Sequence, residues 1–426
     1  MQNTILELLK TEVKPAMGCT EPVAITLCAA KAREISTASY IERFELELSP
    51  NLYKNALGVG IPHSDVVGLD IATAIGLVGG DSELGLKIYE SITDAIVEEA
   101  KELLKVTPFT IKVANTGEKI LIVVRLFDSI GEIEVLIKQK HNNIYKITKY
   151  GEVVYQADDI KVEEGSDLAN FFKLSIRDIV KEVEIMDTRK FEFLLDGLEM
   201  NKKISAVGLK SPLGAKIGYT IKASVDKGLL SDDLPTKAMY LTAAASDARM
   251  SGITLAVMSS NGSGNNGLTA ILPIVAYLDG KDISSEETIR ALAISHLINC
   301  YIKNEIGRLS ALCSCAISAA TSASVAITYL EGGTYEQMEG SINNMVGNLS
   351  GMICDGAKDG CAMKLATAAS TAIYSSILSM SGAILKEKNG IVGRTAEESI
   401  KNLGILSAIG MKQTDSTILD IMQEMN

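Results

Sequence analysis

The chain has 426 residues, room for two or three domains at about 100–200 residues each, and its 47% hydrophobic and 22% charged residues supply enough apolar side chain for large buried cores. Lys and Arg total 41 against 53 Asp and Glu, a net charge of −12 with no basic stripe, which excludes a nucleic-acid or anionic-membrane surface built on clustered positive charge. The opening MQNTILELLKTEVKPAMGCTEP mixes charge into its apolar pattern, so no secretory signal is expected and the protein is expected to be cytoplasmic.

Residues 1–34 read as an N-terminal helical segment that packs on a helical domain. From 35 to 200 the pattern is α+β. Phe44, Leu46 and Leu48 alternate with Glu45 and Glu47, Phe109 to Val113 alternate before the turn at Asn115-Thr116-Gly117, and Lys119–Leu126 and Glu132–Gln139 are two more β-rich runs. These predict an antiparallel or mixed sheet. Helical spacing covers Ser82–Lys105, and Asp167–Met200 offers one or two helices with a charged outer face.

Residues 201–426 read as an all-α domain with buried central helices, and as the catalytic one. No proline follows Pro273, so 153 residues run on without the strongest helix breaker. Leu309–Leu330 and Leu365–Leu385 are uncharged and long enough to cross a bilayer, but they are loaded with Ser, Thr and Ala and lack Trp belts. They are expected to be central helices buried on all sides, with no membrane contact.

Five of the seven cysteines, Cys300, Cys313, Cys315, Cys354 and Cys361, fall within 62 residues, while Cys19 and Cys28 lie near the start. In a reducing compartment such clustering points to metal or catalysis before disulfides. In GMICDGAKDGC (351–361), Gly356 and Gly360 lie in a loop able to turn Cys354 and Cys361 toward one point. The competing reading is two buried structural thiols. LSALCSC (309–315) can supply a third sulfur, and the pattern lacks the paired knuckles of a four-cysteine zinc site. Three thiolates with one open position suit a [4Fe-4S] cluster whose free iron acts as a Lewis acid. His296 and Cys300, at i and i+4, form another ligand pair, or a satisfied core histidine and its neighbour.

SSNGSGNNG (259–267) precedes an apolar run and can offer a nest of backbone N–H groups to a carboxylate or phosphate, with Ser260, Asn261, Gly262, Ser263, Gly264 and Asn265 as the binding residues. An ordinary loop is the alternative. It lacks Walker spacing, so a small anionic substrate is the economical ligand. In MGCTEP (17–22), Cys19 would lie near a helix start, where the dipole favours a thiolate; a buried small residue there is the alternative. His63, in GVGIPHS, has no role legible from spacing.

Together, GCTEPVA (18–24), YKNALGVGIP (53–62), SSNGSGNNG (259–267), LSALC (309–313) and GMICDGAKDGCAMK (351–364) resemble the L-cysteine desulfidases, relatives of the iron-sulfur L-serine dehydratases, along nearly the whole chain. That resemblance implies an oxygen-sensitive [4Fe-4S] lyase that releases sulfide from L-cysteine to give pyruvate and ammonia without pyridoxal phosphate. It implies Cys313, Cys354 and Cys361 as cluster ligands, with Cys315 and Cys300 as rivals for the first, Cys19 as a proton-transfer group, and the SSNGSGNNG loop as holder of the substrate carboxylate. The dehydratases' tail cysteine is missing, since the last cysteine is Cys361, which favours the desulfidase branch. The same chemistry on L-serine is the first alternative. A pyridoxal phosphate lyase would leave the cysteines unexplained, and a zinc-stabilised amino-acid-binding or scaffold protein would have no turnover. The partner expected is a small amino acid, in a monomer or a homo-oligomer.

Overall fold

A computed structural model describes residues 1–18, 20–58, 60–61, 67–159, 166–307 and 309–425. The chain opens with α1 (Gln2–Glu12), which buries Ile5, Leu8 and Leu9, followed by the short β1 (Pro15–Ala16).

A six-stranded mixed sheet comes next, in the order β3-β2-β4-β5-β6-β7. The elements in chain order are α2 (Thr20–Ile35), β2 (Ile41–Leu48), α3 (Pro50–Ala56), α4 (Leu69–Gly79), a 3-10 segment at 82–91, and α5 (Asp94–Val106). Strands β3 (Phe109–Val113), β4 (Leu121–Asp128), β5 (Glu132–Lys138), β6 (Ile144–Lys149) and β7 (Glu152–Gln156) follow. β2 and β3 run parallel, and the other neighbours antiparallel. The alternation has its expected cause: Phe44, Leu46 and Leu48 are fully buried against α2 and its neighbours. On the opposite face Glu45, Arg125 and Glu134 stand in register across three strands, and Arg125 pairs with Glu47 and Glu134.

The remainder is helical: α6 (Asp167–Phe171), α7 (Ile176–Glu184), α8 (Phe193–Lys210), α9 (Ile217–Asp226) and α10 (Leu234–Met250), then the short β8 (Val257–Met258), which pairs with β1. After it come α11 (Gly264–Leu278), α12 (Ser285–Ile306), α13 (Ser318–Leu330), α14 (Tyr335–Leu349), α15 (Cys361–Met380), α16 (Ala396–Ile405) and α17 (Thr414–Glu424). Local chemistry sets many of the starts. Ser284 and Glu287 form a reciprocal capping box on α12, and Thr334 with Gln337 does the same on α14.

The α+β arrangement followed by helices is the fold class expected. The two hydrophobic cores divide the chain differently from the sequence-based boundaries at 34 and 200. The sheet core takes its residues from Val23 to Ile147 and includes α2, whereas Phe171, Ile176, Ile179, Leu194 and α1 belong to the helical core. Amphipathic spacing tells a helix which face to bury, not which core to bury it in. Residues 318–328 of α13 are buried throughout, but α15 keeps an exposed face at Met363, Tyr374, Ile377 and Leu378. No helix among the described residues is long and apolar enough to cross a membrane.

Candidate functional site

One cavity of about 660 Å³ collects the motifs, with walls from both cores. Its first wall is built of two cysteine-bearing segments. Cys313 N–H donates to Met352 O at 2.9 Å and Cys354 N–H to Ala311 O at 2.7 Å, around an antiparallel bridge between Leu312 and Ile353. This stitching brings sequence-distant sulfurs to one place, and Cys361 joins them as the first residue of α15. Burial pushes the Cys313 thiol well above its ordinary pKa, and negative charge on Cys354, Cys315 and Cys361 adds to the shift. The loop is fixed from outside: Gly356 has φ +97°, and a Cβ there would lie 2.2 Å from Lys54 O. Lys54, almost fully buried, donates to Cys354 O at 2.8 Å and pairs with Asp415 of α17.

The loop's charges are largely engaged with one another. Burial raises the pKa of Asp355, but hydrogen bonds and charge from Lys364 and Lys358 outweigh it and hold the carboxyl below its usual range. Burial lowers the pKa of Lys364; Asp355 and the neighbouring Cys313 and Cys354 reverse that, so this cation favours thiolates.

Cys28, Cys313, Cys315 and Cys354 are free thiols. No three His, Cys, Asp or Glu side chains among the described residues converge tightly enough to hold one ion. Three thiol-bearing side chains, Cys313, Cys354 and Cys361, line one cavity with Lys364, a soft donor set of the kind that suits an iron-sulfur cluster. Cys315 makes its contacts on the opposite wall, 3.5 Å from Ser263 Oγ and accepting from Asn266 Nδ2 at 3.4 Å. Cys300 and Cys28 are buried in the helical and sheet cores and do not line the cavity.

The second wall is the Ser259–Gly267 loop, which enters from β8. Asn261 (φ +52°) and Gly262 (φ +74°) make its turn, and Ser263 caps α11 by accepting from Asn266 N–H. Beneath it, Ser260 Oγ accepts from Asn299 Nδ2 at 2.9 Å and lies 3.0 Å from His296 Nδ1. His296 is fully buried and burial lowers its pKa to about 4. It props the loop from behind and does not line the cavity, so the His296/Cys300 ligand pair is not formed there.

A third wall comes from the N-terminal run. Thr20 Oγ1 donates to Gly262 O at 3.3 Å, and Asn55 donates to Glu21 at 3.2 Å. Cys19 and His63 lie outside the described residues. The β5–β6 turn, with His141, reaches the cavity from the sheet.

Sequence reasoning missed Arg249, Lys303 and His141, and gave Lys54, within YKNALGVGIP, no role. Arg249 had a signal, being the one cation in AMYLTAAASDARMSGITLAVM (238–258). It donates to Asn265 Oδ1 and to Gly18 O, and Lys303 donates to Asn261 O.

This arrangement has counterparts among known proteins. The family model described as serine dehydratase alpha chain matches residues 83–420. A UPF0597 protein of Alkaliphilus oremlandii (strain OhILAs) is 49% identical over 425 residues, covering 100% of this chain and 99% of that one. Another, from Clostridioides difficile (strain 630), is 48% identical over 99% of both chains, and one from Clostridium botulinum (strain Loch Maree / Type A3) is 38% identical over 98% of this chain and 96% of its own. With a match over most of its length, cysteine loops included, the chain belongs to the serine dehydratase alpha chain family.

Proposed function

We propose that this protein is an iron-sulfur lyase that eliminates sulfide from L-cysteine, yielding pyruvate, ammonia and hydrogen sulfide. The observation that carries the reading is the meeting of Cys313, Cys354 and Cys361 with the Ser259–Gly267 loop around one cavity. Cys313, Cys354 and Cys361 hold a [4Fe-4S] cluster, which when bound supplies Lewis acidity toward the substrate's β-substituent. Asn261, Gly262, Ser263 and Asn265 border the subsite for the substrate's carboxylate end, with Ser260 and Gly264 set behind the cavity lining as supports of the loop.

Cys19 has the part the resemblance implies, as a thiolate that takes the α-proton. The electron pair left at Cα forms the Cα–Cβ double bond as the Cβ–S bond breaks and sulfide departs. Aminoacrylate tautomerises to the imine, and water converts that to pyruvate and ammonia.

Water loss from L-serine by the same site is the second reading, favoured by the printed description of the matching family. The test is anaerobic reconstitution with iron and sulfide, an absorption spectrum, and parallel assays of sulfide from L-cysteine and pyruvate from L-serine. A brown protein that releases sulfide faster than it dehydrates serine is the expected result. A colourless, iron-free preparation after reconstitution overturns the reading.

A further inference from the structure

We propose that Arg249 is the receptor for the substrate's α-carboxylate, and that the Ser259–Gly267 loop is the frame that holds its guanidinium. This deepens the function proposed above and rests on it for the identity of the ligand as a small amino acid.

Arg249 lies near the end of α10, is 4% exposed, and lines the cavity. Its two hydrogen bonds go to neutral acceptors, Asn265 Oδ1 at 3.1 Å and Gly18 O at 2.7 Å, and Nε is buried without a partner. Among the described residues no carboxylate pairs with it. A buried guanidinium without a counter-charge is costly, and an anion in the cavity removes that cost. Asp355, on the opposite wall, is already held by Lys358 and Lys364.

The loop is shaped around this side chain. A Cβ on Gly264 would lie 2.3 Å from Arg249 Nε and 2.6 Å from Cζ, so only glycine lets the planar group lie against the start of α11. The loop's own amides are mostly engaged: Ser259 and Asn261 donate to Lys14 O and Glu12 O, and Ser260 and Ser263 to each other's carbonyls. Asn266 and Gly267 donate to Ser263. Few N–H groups remain for a backbone nest, whereas the guanidinium offers a planar fork that matches a carboxylate. Lys303, 4% exposed and bonded to Asn261 O at 3.1 Å, adds a second positive charge to the same wall.

The experiment is anaerobic calorimetric titration of the reconstituted holoenzyme with L-alanine, which has the carboxylate but no leaving group, and with ethylamine, which has neither. Wild type is expected to bind L-alanine and not ethylamine. Arg249→Gln should weaken L-alanine about 100-fold and Arg249→Lys about 10-fold, the span of one or two charged hydrogen bonds. Gly264→Ala should weaken it as well, by displacing the guanidinium without changing charge. If Arg249→Gln does not fold, Arg249→Lys and Gly264→Ala carry the test. A folded Arg249→Gln or Arg249→Lys variant that binds L-alanine as wild type does overturns the proposal, and so does a wild type that binds no L-alanine. Arg249-dependent L-alanine binding without sulfide or pyruvate production would sustain this inference while removing the proposed function. Sulfide production with an unchanged KM in Arg249→Gln would do the reverse.

Discussion

The Lys54–Asp415 pair predicts an asymmetry between its two halves. Lys54 is 2% exposed, whereas the Asp415 side chain is 22% exposed and sits in the first turn of α17. Asp415→Asn leaves an ammonium buried with Cys354 O as its remaining described partner, and stranding a buried charge costs about 3–5 kcal/mol. Lys54→Met leaves a carboxylate that water can reach, at a helix start that favours negative charge, and costs about 1–2 kcal/mol for the lost donor to Cys354 O. For 426 residues melting together the unfolding entropy is about 0.9 kcal/mol/K. The midpoint should then fall by about 3–6 °C in Asp415→Asn and about 1–2 °C in Lys54→Met. The double variant should recover to near Lys54→Met. Scanning calorimetry of the four proteins measures this. Equal single effects that add in the double variant would refute the reasoning.

Two buried groups oppose each other in acid. Burial raises the pKa of Asp247 to about 6 from 3.8, so its contribution to stability is full below 3.8 and lost as pH rises through 6. Burial lowers His296 to about 4 from 6.5, so its contribution is full above 6.5 and lost as pH falls through 4. Melting curves between pH 4 and 6.5 should therefore rise with pH in Asp247→Asn and fall with pH in His296→Gln, relative to a flatter wild type. Gly208→Ala should destabilise by about 3 kcal/mol, because its Cβ would lie 2.0 Å from Ala244 O where α8 crosses α10, and chemical denaturation will show it. Cys313→Ser should abolish the visible chromophore of the reconstituted protein while Cys315→Ser retains it, since Cys315 bonds to Ser263 and Asn266 on the other wall.

Strands β2 and β3 were legible because apolar and charged residues alternate along them, and β4 and β5 because they are rich in Ile, Val and Leu that pack on the sheet core. β6 and β7 escaped because they lie toward the open edge, where β6 is mostly half-buried and β7 is exposed throughout. A strand that buries little leaves little pattern. In the site, the cysteines were visible because the residue type is scarce and its chemistry narrow. Arg249 was visible only as a lone charge, since its bond to Gly18 spans 231 positions and local spacing carries no trace of it. His296 shows the converse, because spacing put it with Cys300 while its actual partner is Ser260, 36 positions away.

The pairing of β1 with β8 means that the helical half is assembled from both ends of the chain, with the sheet half inserted between them. The insert is contiguous, so its core can close during synthesis as soon as β6 has left the ribosome. The helical half has to wait: α1 packs against α6 and α12, so its partners emerge only after the whole sheet half. A circular permutant that begins at residue 166 and joins the old termini by a linker would make the helical half continuous and the sheet half the last to emerge. Comparing its refolding rate with that of the natural order would show which half sets the pace.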